Sequence, residues 1–174
     1  MQISRVNRVL IAILFFISIQ CAPTQTFDTA HQGVLDLRSS DLSSSIVSLN
    51  GDWEFYWRRL LEPDDFKSLQ VRPDTYIQVP DIWNHTLISG QSVGNYGYAT
   101  YRLKILLPDS SPPLSIKMLD TGSNYRFWVN GQYYGGSGHV SDRSDQSIAS
   151  YKTALYDLRT TSSELEILVQ VSNY

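Results

Sequence analysis

Short segments in which apolar and polar residues alternate constrain the fold of this chain more than any other feature of its sequence. In residues 101–107 every odd-numbered position is apolar, whereas Arg102 and Lys104 lie between the first three of them. A period of two is typical of an antiparallel strand with one face in a core and the other in water. No window of helical length keeps an apolar period of 3.6 residues with caps. The chain is therefore predicted to be all-β.

Turn signals divide the rest of the chain into similar short segments rich in β-branched and aromatic residues. Asn130-Gly131 lies between two apolar runs and predicts a tight hairpin, because both central residues of such a turn need a positive φ. After Pro63, the acidic pair Asp64 and Asp65 favours a short helix, with an irregular loop as the alternative. Nine strands with so little helix indicate a sandwich or a barrel. The predicted strands are residues 46–49, 53–57, 76–79, 100–107, 114–119, 125–129, 132–134, 154–157 and 165–171.

Three large aromatic residues, Trp53, Phe55 and Trp57, share one face of the predicted strand 53–57. Rings at this spacing usually lie in a core, because each one removes a large apolar area from water. We therefore expect Trp53 and Phe55 to pack inside the domain. Trp57 lies nearer the end of the strand, which leaves its place open.

The first 21 residues are predicted to be an export signal. Arg5 and Arg8 give the segment a positive start, and the apolar run 9–19 is too short to cross a bilayer as an ordinary helix. The segment ends at Cys21, the only cysteine, which is either lipidated or simply part of a plain signal peptide. Both alternatives predict an exported protein of the periplasm or cell envelope, held at the membrane by a lipid anchor or an uncleaved signal.

The rest of the 174-residue chain has room for a single domain. Residues 22–32 are predicted to be a polar linker, and residues 33–174 the domain. The formal net charge is -3, so the chain offers no positive field to a polyanion, and nucleic acid is not expected as a partner. The three histidines lie far apart in predicted loops, and no glycine-rich phosphate loop opens a helix. No metal or cofactor is therefore expected.

Five motifs follow one another in an order that resembles known proteins. They are residues 49–55 (Leu-Asn-Gly-Asp-Trp-Glu-Phe), 79–83 (Val-Pro-Asp-Ile-Trp), 97–102 (Gly-Tyr-Ala-Thr-Tyr-Arg), 125–131 (Tyr-Arg-Phe-Trp-Val-Asn-Gly) and 165–171 (Leu-Glu-Ile-Leu-Val-Gln-Val). The series resembles the N-terminal, sugar-binding jelly-roll domain of family-two glycoside hydrolases. It resembles more closely a galactose-binding-like extracellular domain that begins bacterial membrane receptors. The resemblance covers about residues 33–174.

The resemblance implies a galactose-binding-like jelly-roll β-sandwich that binds a carbohydrate-like or small polar ligand as the extracytoplasmic part of a signalling receptor. Such receptors continue into a seven-helix membrane module and an output domain, so we expect either a truncated receptor or a domain used alone, with a receptor or another protein as partner. The hydrolase relatives carry their catalytic carboxylates on a separate barrel domain, and no acid pair stands out here, so no enzymatic activity is expected. The alternative is a non-catalytic structural or protein-interaction lipoprotein.

Candidate ligand contacts come from two segments rich in glycine and tyrosine, 94–98 and 133–139. Glycine lets a ligand approach the backbone, while Tyr and His offer an apolar face with a polar tip. The alternative is a pair of loops with ordinary turn residues. Arg102 and Arg126 could each bind a carboxylate or a sugar hydroxyl, although such arginines are more commonly paired surface charges. The resemblance implies that Trp83 is a plug between the sheets, with a sugar-stacking platform as the alternative. The candidate ligand-binding residues are Tyr96, Tyr98, Arg102, Tyr133, Tyr134 and His139.

Overall fold

A computed structural model of the chain describes residues 29–44, 46–68, 70–119, 121–159 and 162–174. The predicted signal segment, Cys21 and the first part of the predicted linker lie outside the described residues. Within these ranges no helix is long and apolar enough to cross a membrane. Strands dominate, as predicted. The elements are β1 (Val34–Asp36), β2 (Gly51–Trp57), α1 (Pro63–Ser68), β3 (Thr75–Val79), a 3-10 turn (Trp83–His85), β4 (Leu87–Ile88), β5 (Gln91–Ser92), β6 (Gly97–Leu106), β7 (Ser115–Met118), β8 (Asn124–Val129), β9 (Gln132–Ser137), β10 (Ala154–Asp157) and β11 (Glu164–Asn173).

Seven strands form one large mixed sheet. Its hydrogen-bonded order is β3-β2-β6-β11-β8-β9, and β1 joins it by pairing in parallel with β6. The long strands β6 and β11 lie at its centre and pair with each other along their whole length. The two-stranded sheet β7–β10 packs over one face of the large sheet. The chain is thus a jelly-roll β-sandwich, which confirms the predicted fold class.

The core lies between the large sheet and β7–β10. Leu103 of β6 and Phe127 of β8 point into it and are fully buried. Ile116 of β7 and Tyr156 of β10 close it from the other side, and the ring of Tyr156 meets Phe127 edge-on with centroids 4.8 Å apart. The alternation predicted for residues 101–107 is confirmed by this arrangement.

The predicted packing of Trp53 and Phe55 is also confirmed. Trp53 belongs to the main core cluster and Phe55 to a smaller one. Trp83 joins the smaller cluster, with its ring centroid 5.3 Å from Trp57 and 6.4 Å from Phe55. Its indole nitrogen donates to the Asn95 carbonyl at 3.3 Å. Trp83 is therefore a packing residue, and Trp57 packs beside it.

The predicted strand 46–49 is wrong. Ile46 is 95% exposed, and the Leu49 carbonyl accepts a hydrogen bond of 2.9 Å from the indole of Trp53 rather than from a neighbouring strand. Conversely, three strands that are present, β1, β4 and β5, were not predicted from the sequence. These strands have two or three residues each, which is too short for a period of two to show.

Ala30 already belongs to the sandwich, although it lies within the predicted linker 22–32. It is 3% exposed, its N–H donates to the Asn50 carbonyl at 2.8 Å, and its carbonyl accepts from the Asp52 N–H at 2.8 Å. Gly51 lies directly against it with a φ of 122°, and a Cβ there would come within 2.3 Å of the Ala30 carbonyl oxygen. The close approach explains why the first motif has glycine at this position.

Candidate functional site

The outer face of the large sheet, which is turned away from the core, carries two aligned rows of side chains. Directly paired residues on neighbouring strands point to the same face, so strand register decides which side chains are neighbours. The first row is Tyr56, Thr100, Gln170, Arg126 and Gly136. The second row is Glu54, Arg102, Leu168, Trp128 and Tyr133.

Residues 58–68, which we call the cover segment, lie over part of this outer face. The Leu61 N–H donates to the Thr100 hydroxyl at 2.9 Å, and this hydroxyl donates to the Arg59 carbonyl at 2.7 Å. The Leu61 carbonyl accepts a bond of 2.7 Å from the side-chain amide of Gln170. Thr100 and Gln170 are fully buried as a result. The cover segment thus excludes water from the β2, β6 and β11 part of the outer face.

Arg102 lies beneath the edge of the cover segment in a cluster of charges. Its guanidinium bonds Glu166 and, at 3.2 Å, Glu54, and it lies 4.6 Å from the ring centroid of Phe66 in α1. Burial opposes the charge, but the hydrogen bond to Glu166 and the two carboxylates outweigh it and raise the pKa of Arg102. Glu54 also accepts a bond of 2.7 Å from the Tyr56 hydroxyl. The charge of Arg102 is therefore paired with carboxylates inside the protein.

Beyond the cover segment the outer face opens into a small cleft of about 240 Å³ on β8 and β9. Tyr133 stands at its side with 57% of its surface exposed, and its ring meets Trp128 at a centroid distance of 5.6 Å. His139 follows β9 and is also exposed. The lining residues are Tyr125, Arg126, Tyr133, Gly136, Gly138, His139 and Val140.

Arg126 supplies the charge of this cleft. Its Nε donates to the Oε1 of Gln170, and its guanidinium lies 5.6 Å from the ring centroid of Trp128. The other end of the Gln170 amide is held by the Leu61 carbonyl. Since that carbonyl can only accept, the NH₂ group of Gln170 faces Leu61 and its oxygen faces Arg126. A buried amide and an indole ring therefore orient the arginine.

The backbone around the cleft has room for no side chain at two positions, Gly136 and Gly138. A Cβ at Gly136 would lie 2.4 Å from the Tyr125 carbonyl oxygen and 3.1 Å from the Cα of Arg126. Gly138 has a φ of 72°, and a Cβ there would lie 2.1 Å from the Ile148 carbonyl oxygen. Any larger residue would displace the backbone that forms the cleft.

A buried polar network holds the loop after β9 against the end of the sheet. Ser172 is its centre: its hydroxyl lies 2.8 Å from the Asn124 side-chain oxygen and accepts a bond of 3.1 Å from the Ser141 N–H. The Asn124 amide in turn donates to the Ser147 hydroxyl at 2.8 Å. His139 pairs through its backbone with Ile148. This network fixes the wall on which His139 lies.

The candidate ligand residues do not form one group. Tyr133 and His139 line the cleft, but Tyr134 lies on the inner face, where its ring is 6.0 Å from Phe127 and its hydroxyl accepts a bond of 3.1 Å from the Arg159 N–H. Consecutive strand residues point to opposite faces, so Tyr133 and Tyr134 cannot share one site.

The other three candidates lie elsewhere on the molecule. Arg102 belongs to the charge cluster beneath the cover segment. Tyr98 is the second residue of β6, three strand steps or about 14 Å from β9, and Tyr96 lies exposed in the loop before this strand. Arg126 was weighed as a ligand contact from the sequence but was not among the candidates. Its position two residues before Trp128 was the available signal, since it places both on one strand face.

Among the described residues, no group of three or more His, Cys, Asp and Glu side chains is arranged to hold a metal ion. The cleft lining contains one arginine, one histidine and two tyrosines, and it contains no Asp or Glu. Chemically, this arrangement can donate hydrogen bonds to an acceptor and offer a ring face to an apolar surface.

No protein-family model matches the sequence, and a search of the curated proteins finds no match. Solved structures do match. A β-glucuronidase from Faecalibacterium prausnitzii is 19% identical with a TM-score of 0.54, and the match covers 72% of this chain and 20% of that enzyme. A β-glucuronidase from Ruminococcus gnavus in complex with D-glucuronic acid is 17% identical with a TM-score of 0.52, covering 73% of this chain and 21% of the enzyme. The chain thus spans about a fifth of the length of these enzymes and shares with them the fold of one β-sandwich domain.

Proposed function

We propose that the described domain is a non-catalytic module that binds a carbohydrate-like or other small polar ligand in the cleft on β8 and β9. The observation that carries the proposal is the cleft itself, which Arg126, Tyr133 and His139 line together with Gly136 and Gly138. An aromatic side chain beside hydrogen-bond donors suits a sugar ring, which has apolar C–H faces and polar edges. The structural neighbours support this ligand class, because one of them is in complex with D-glucuronic acid.

The absence of an acid in the cleft lining supports a non-catalytic role. Glycoside hydrolysis needs two carboxylates that flank the scissile bond, one as the acid and the other as the base or nucleophile. The residues that line the cleft include neither Asp nor Glu.

The proposal extends to the place of the domain in the cell. The positive start and apolar run of residues 1–21 favour export to the periplasm or cell envelope, with Cys21 as a lipidation site or with an uncleaved signal as the anchor. The resemblance to receptor ectodomains favours a sensory role, with a receptor or another protein as partner. Intact-mass analysis tests the anchor, since a lipid on Cys21 adds the mass of its acyl chains.

Ligand binding is tested by thermal unfolding of the purified chain against a panel of sugars and small polar metabolites. A ligand at ~100 times its dissociation constant stabilises the folded state by about 2.7 kcal/mol. We expect Tyr133→Ala and His139→Ala to remove the response while the domain stays folded. Tyr96→Ala is the matched control, because Tyr96 is similarly exposed, at 65%, and lies outside the cleft. A flat response across the panel would contradict the proposal.

A structural or protein-interaction role is the second candidate, and one observation favours it. Tyr151, Leu155 and Leu119, in and beside β7 and β10, are each more than 60% exposed. Apolar residues grouped on a surface are common where proteins dock. If the sugar panel gives no response, Leu155→Asp should weaken the binding of a protein partner captured from the cell envelope of the same organism, without unfolding the domain. If the panel responds, the same substitution should leave ligand binding unchanged.

A further inference from the structure

The charge of Arg126 has no carboxylate partner in the described part of the chain. Three other arginines each pair with an acid: Arg38 with Asp36, Arg102 with Glu54 and Glu166, and Arg143 with Asp145. Among the described residues, the guanidinium of Arg126 contacts the neutral side chains of Gln170 and Trp128. Arg58, Arg59, Arg72 and Arg159 have no acid partner among the described residues either, but Arg126 is the arginine that lines the cleft.

The orientation of Arg126 is fixed in advance. One of its five N–H donors is taken by Gln170, whose amide is itself held by Leu61, and the guanidinium plane lies near Trp128. The two terminal nitrogens have no hydrogen-bond partner among the described residues and form a planar fork. A fork of this kind matches the two oxygens of a carboxylate, and little side-chain entropy is lost on binding when the arginine is already held.

The surroundings of the fork narrow the ligand further. Tyr133 adds an exposed ring beside the arginine. The lining contains no Asp or Glu that would repel a negatively charged ligand. The volume of about 240 Å³ is below the ~300–1,000 Å³ of pockets for drug-sized ligands, which favours a single ring.

From these observations we infer that the cleft binds a small ligand that carries a carboxylate, of the uronic acid class, and that Arg126 binds this carboxylate. The inference rests on the proposed function and specifies its ligand. Gln170 and Trp128 position the arginine, while Tyr133 contacts the ring of the ligand.

The test compares two pairs of probes that differ only at C6, D-glucuronate with D-glucose and D-galacturonate with D-galactose. Dissociation constants are measured with the purified full chain by calorimetry or by NMR titration. We expect at least one acid to bind about ten-fold or more tightly than its neutral partner, the difference that one charge-assisted pair of hydrogen bonds supplies. Arg126→Met should remove this preference.

Two further variants keep the result interpretable. Lys117→Met removes one positive charge from the exposed side of β7, outside the cleft, and should leave the preference for the acid unchanged. Arg126→Lys keeps the charge but loses the fork, so it should give an intermediate affinity, and it serves if Arg126→Met does not fold.

The outcomes separate this inference from the proposed function. Equal affinity for acid and neutral sugar would overturn the inference and leave the ligand-binding role intact. A preference for the acid that survives in Arg126→Met and Arg126→Lys would overturn the assignment to Arg126. No binding of any of the four probes would overturn the inference, whereas only a flat response across the wider panel of sugars and small polar metabolites would contradict the proposed function.

Discussion

Arg102 and Arg126 lie on the same face of the same sheet with only β11 between their strands, and each lies near an aromatic ring, yet the charges around them differ. Arg102 lies beneath the edge of the cover segment and is paired with two glutamates. Arg126 lies beyond the cover segment and faces a cleft without an acid. A charge removed from water needs a partner within the protein. A charge at an open cleft is in contact with water, so it needs no such partner and stays available to a ligand. The extent of the cover segment therefore decides which arginine is structural.

The two regions are joined by one side chain. Gln170 bonds the Leu61 carbonyl in the cover segment and Arg126 in the cleft. The cover segment also reaches the β8–β9 hairpin, where a Cβ on Gly131 would lie 3.8 Å from the Cβ of Pro63. A movement of the cover segment would therefore disturb the orientation of Arg126, the arginine that we propose binds the ligand.

The largest expected effect is on stability, from Arg102→Met. The substitution leaves Glu54 and Glu166 without their cation in a partly buried place, which should lower the free energy of unfolding by about 3 kcal/mol. Arg126→Met is the matched variant, and it should cost only about 1 kcal/mol, since one hydrogen bond and one ring contact are lost. Urea unfolding measures both. Equal costs would show that the cover segment makes no energetic difference between the two arginines.

Gln170→Leu should have the next largest effect, because it breaks the connection between the two regions. The Leu61 carbonyl and the Arg126 Nε would both lose their partner, at a cost of about 2 kcal/mol. Arg126 would also lose its fixed orientation, so affinity for an acidic ligand should fall. In a double-mutant cycle with Arg126→Met we expect a coupling of about 1 kcal/mol. A coupling of zero would mean that Gln170 does not hold the arginine.

The covered half shows what sequence reasoning reaches and where it stops. The alternation in residues 101–107 correctly predicted which side chains of β6 face the core. The hairpin predicted from Asn130-Gly131 is present, with φ values of 48° and 79°. The cover segment was not predictable in the same way, because the bond from Gln170 to Leu61 joins residues 109 positions apart. Local patterns carry no record of such a contact.

The candidate site was predictable in part for a similar reason. The segment 133–139 was singled out from the sequence as a source of ligand contacts, and two of its candidates, Tyr133 and His139, line the cleft. The period of two that predicted the strands also requires Tyr133 and Tyr134 to face opposite ways, and this consequence was not drawn from the sequence. Arg126 is a candidate because Gln170 orients it and because it lines the open cleft. Neither feature can be read from the sequence of one strand.

Tyr56→Phe tests the covered half with a smaller change. It removes the hydroxyl that donates to Glu54, at a cost of about 1 kcal/mol. Burial, followed by the bond to Glu54, raises the pKa of Tyr56 above its ordinary value of 10.0. The folded state therefore keeps a proton that the unfolded state loses, so stability is complete below pH 10 and falls as the pH rises further. Unfolding measured from pH 9 upward should show a shallower decline in the variant than in the wild type; an identical decline would contradict the assignment.

The smallest effect is expected from an ion pair that no segment covers. Arg38 donates three side-chain hydrogen bonds of 2.5, 2.9 and 3.2 Å to Asp36, and these bonds lower the pKa of Asp36 to about 2. The pair stabilises the folded state above the ordinary carboxyl pKa of 3.8, and the contribution is lost as the pH falls toward 2. Because both groups are exposed, solvent screens the attraction, and Arg38→Ala should leave the unfolding transition at pH 7 unchanged. The same variant should return the pKa of Asp36 toward 3.8, as followed by NMR titration of its carboxyl carbon. A clear loss of stability at pH 7 would show that pairing alone stabilises this protein, and the difference between Arg102 and Arg126 could then no longer be attributed to the cover segment.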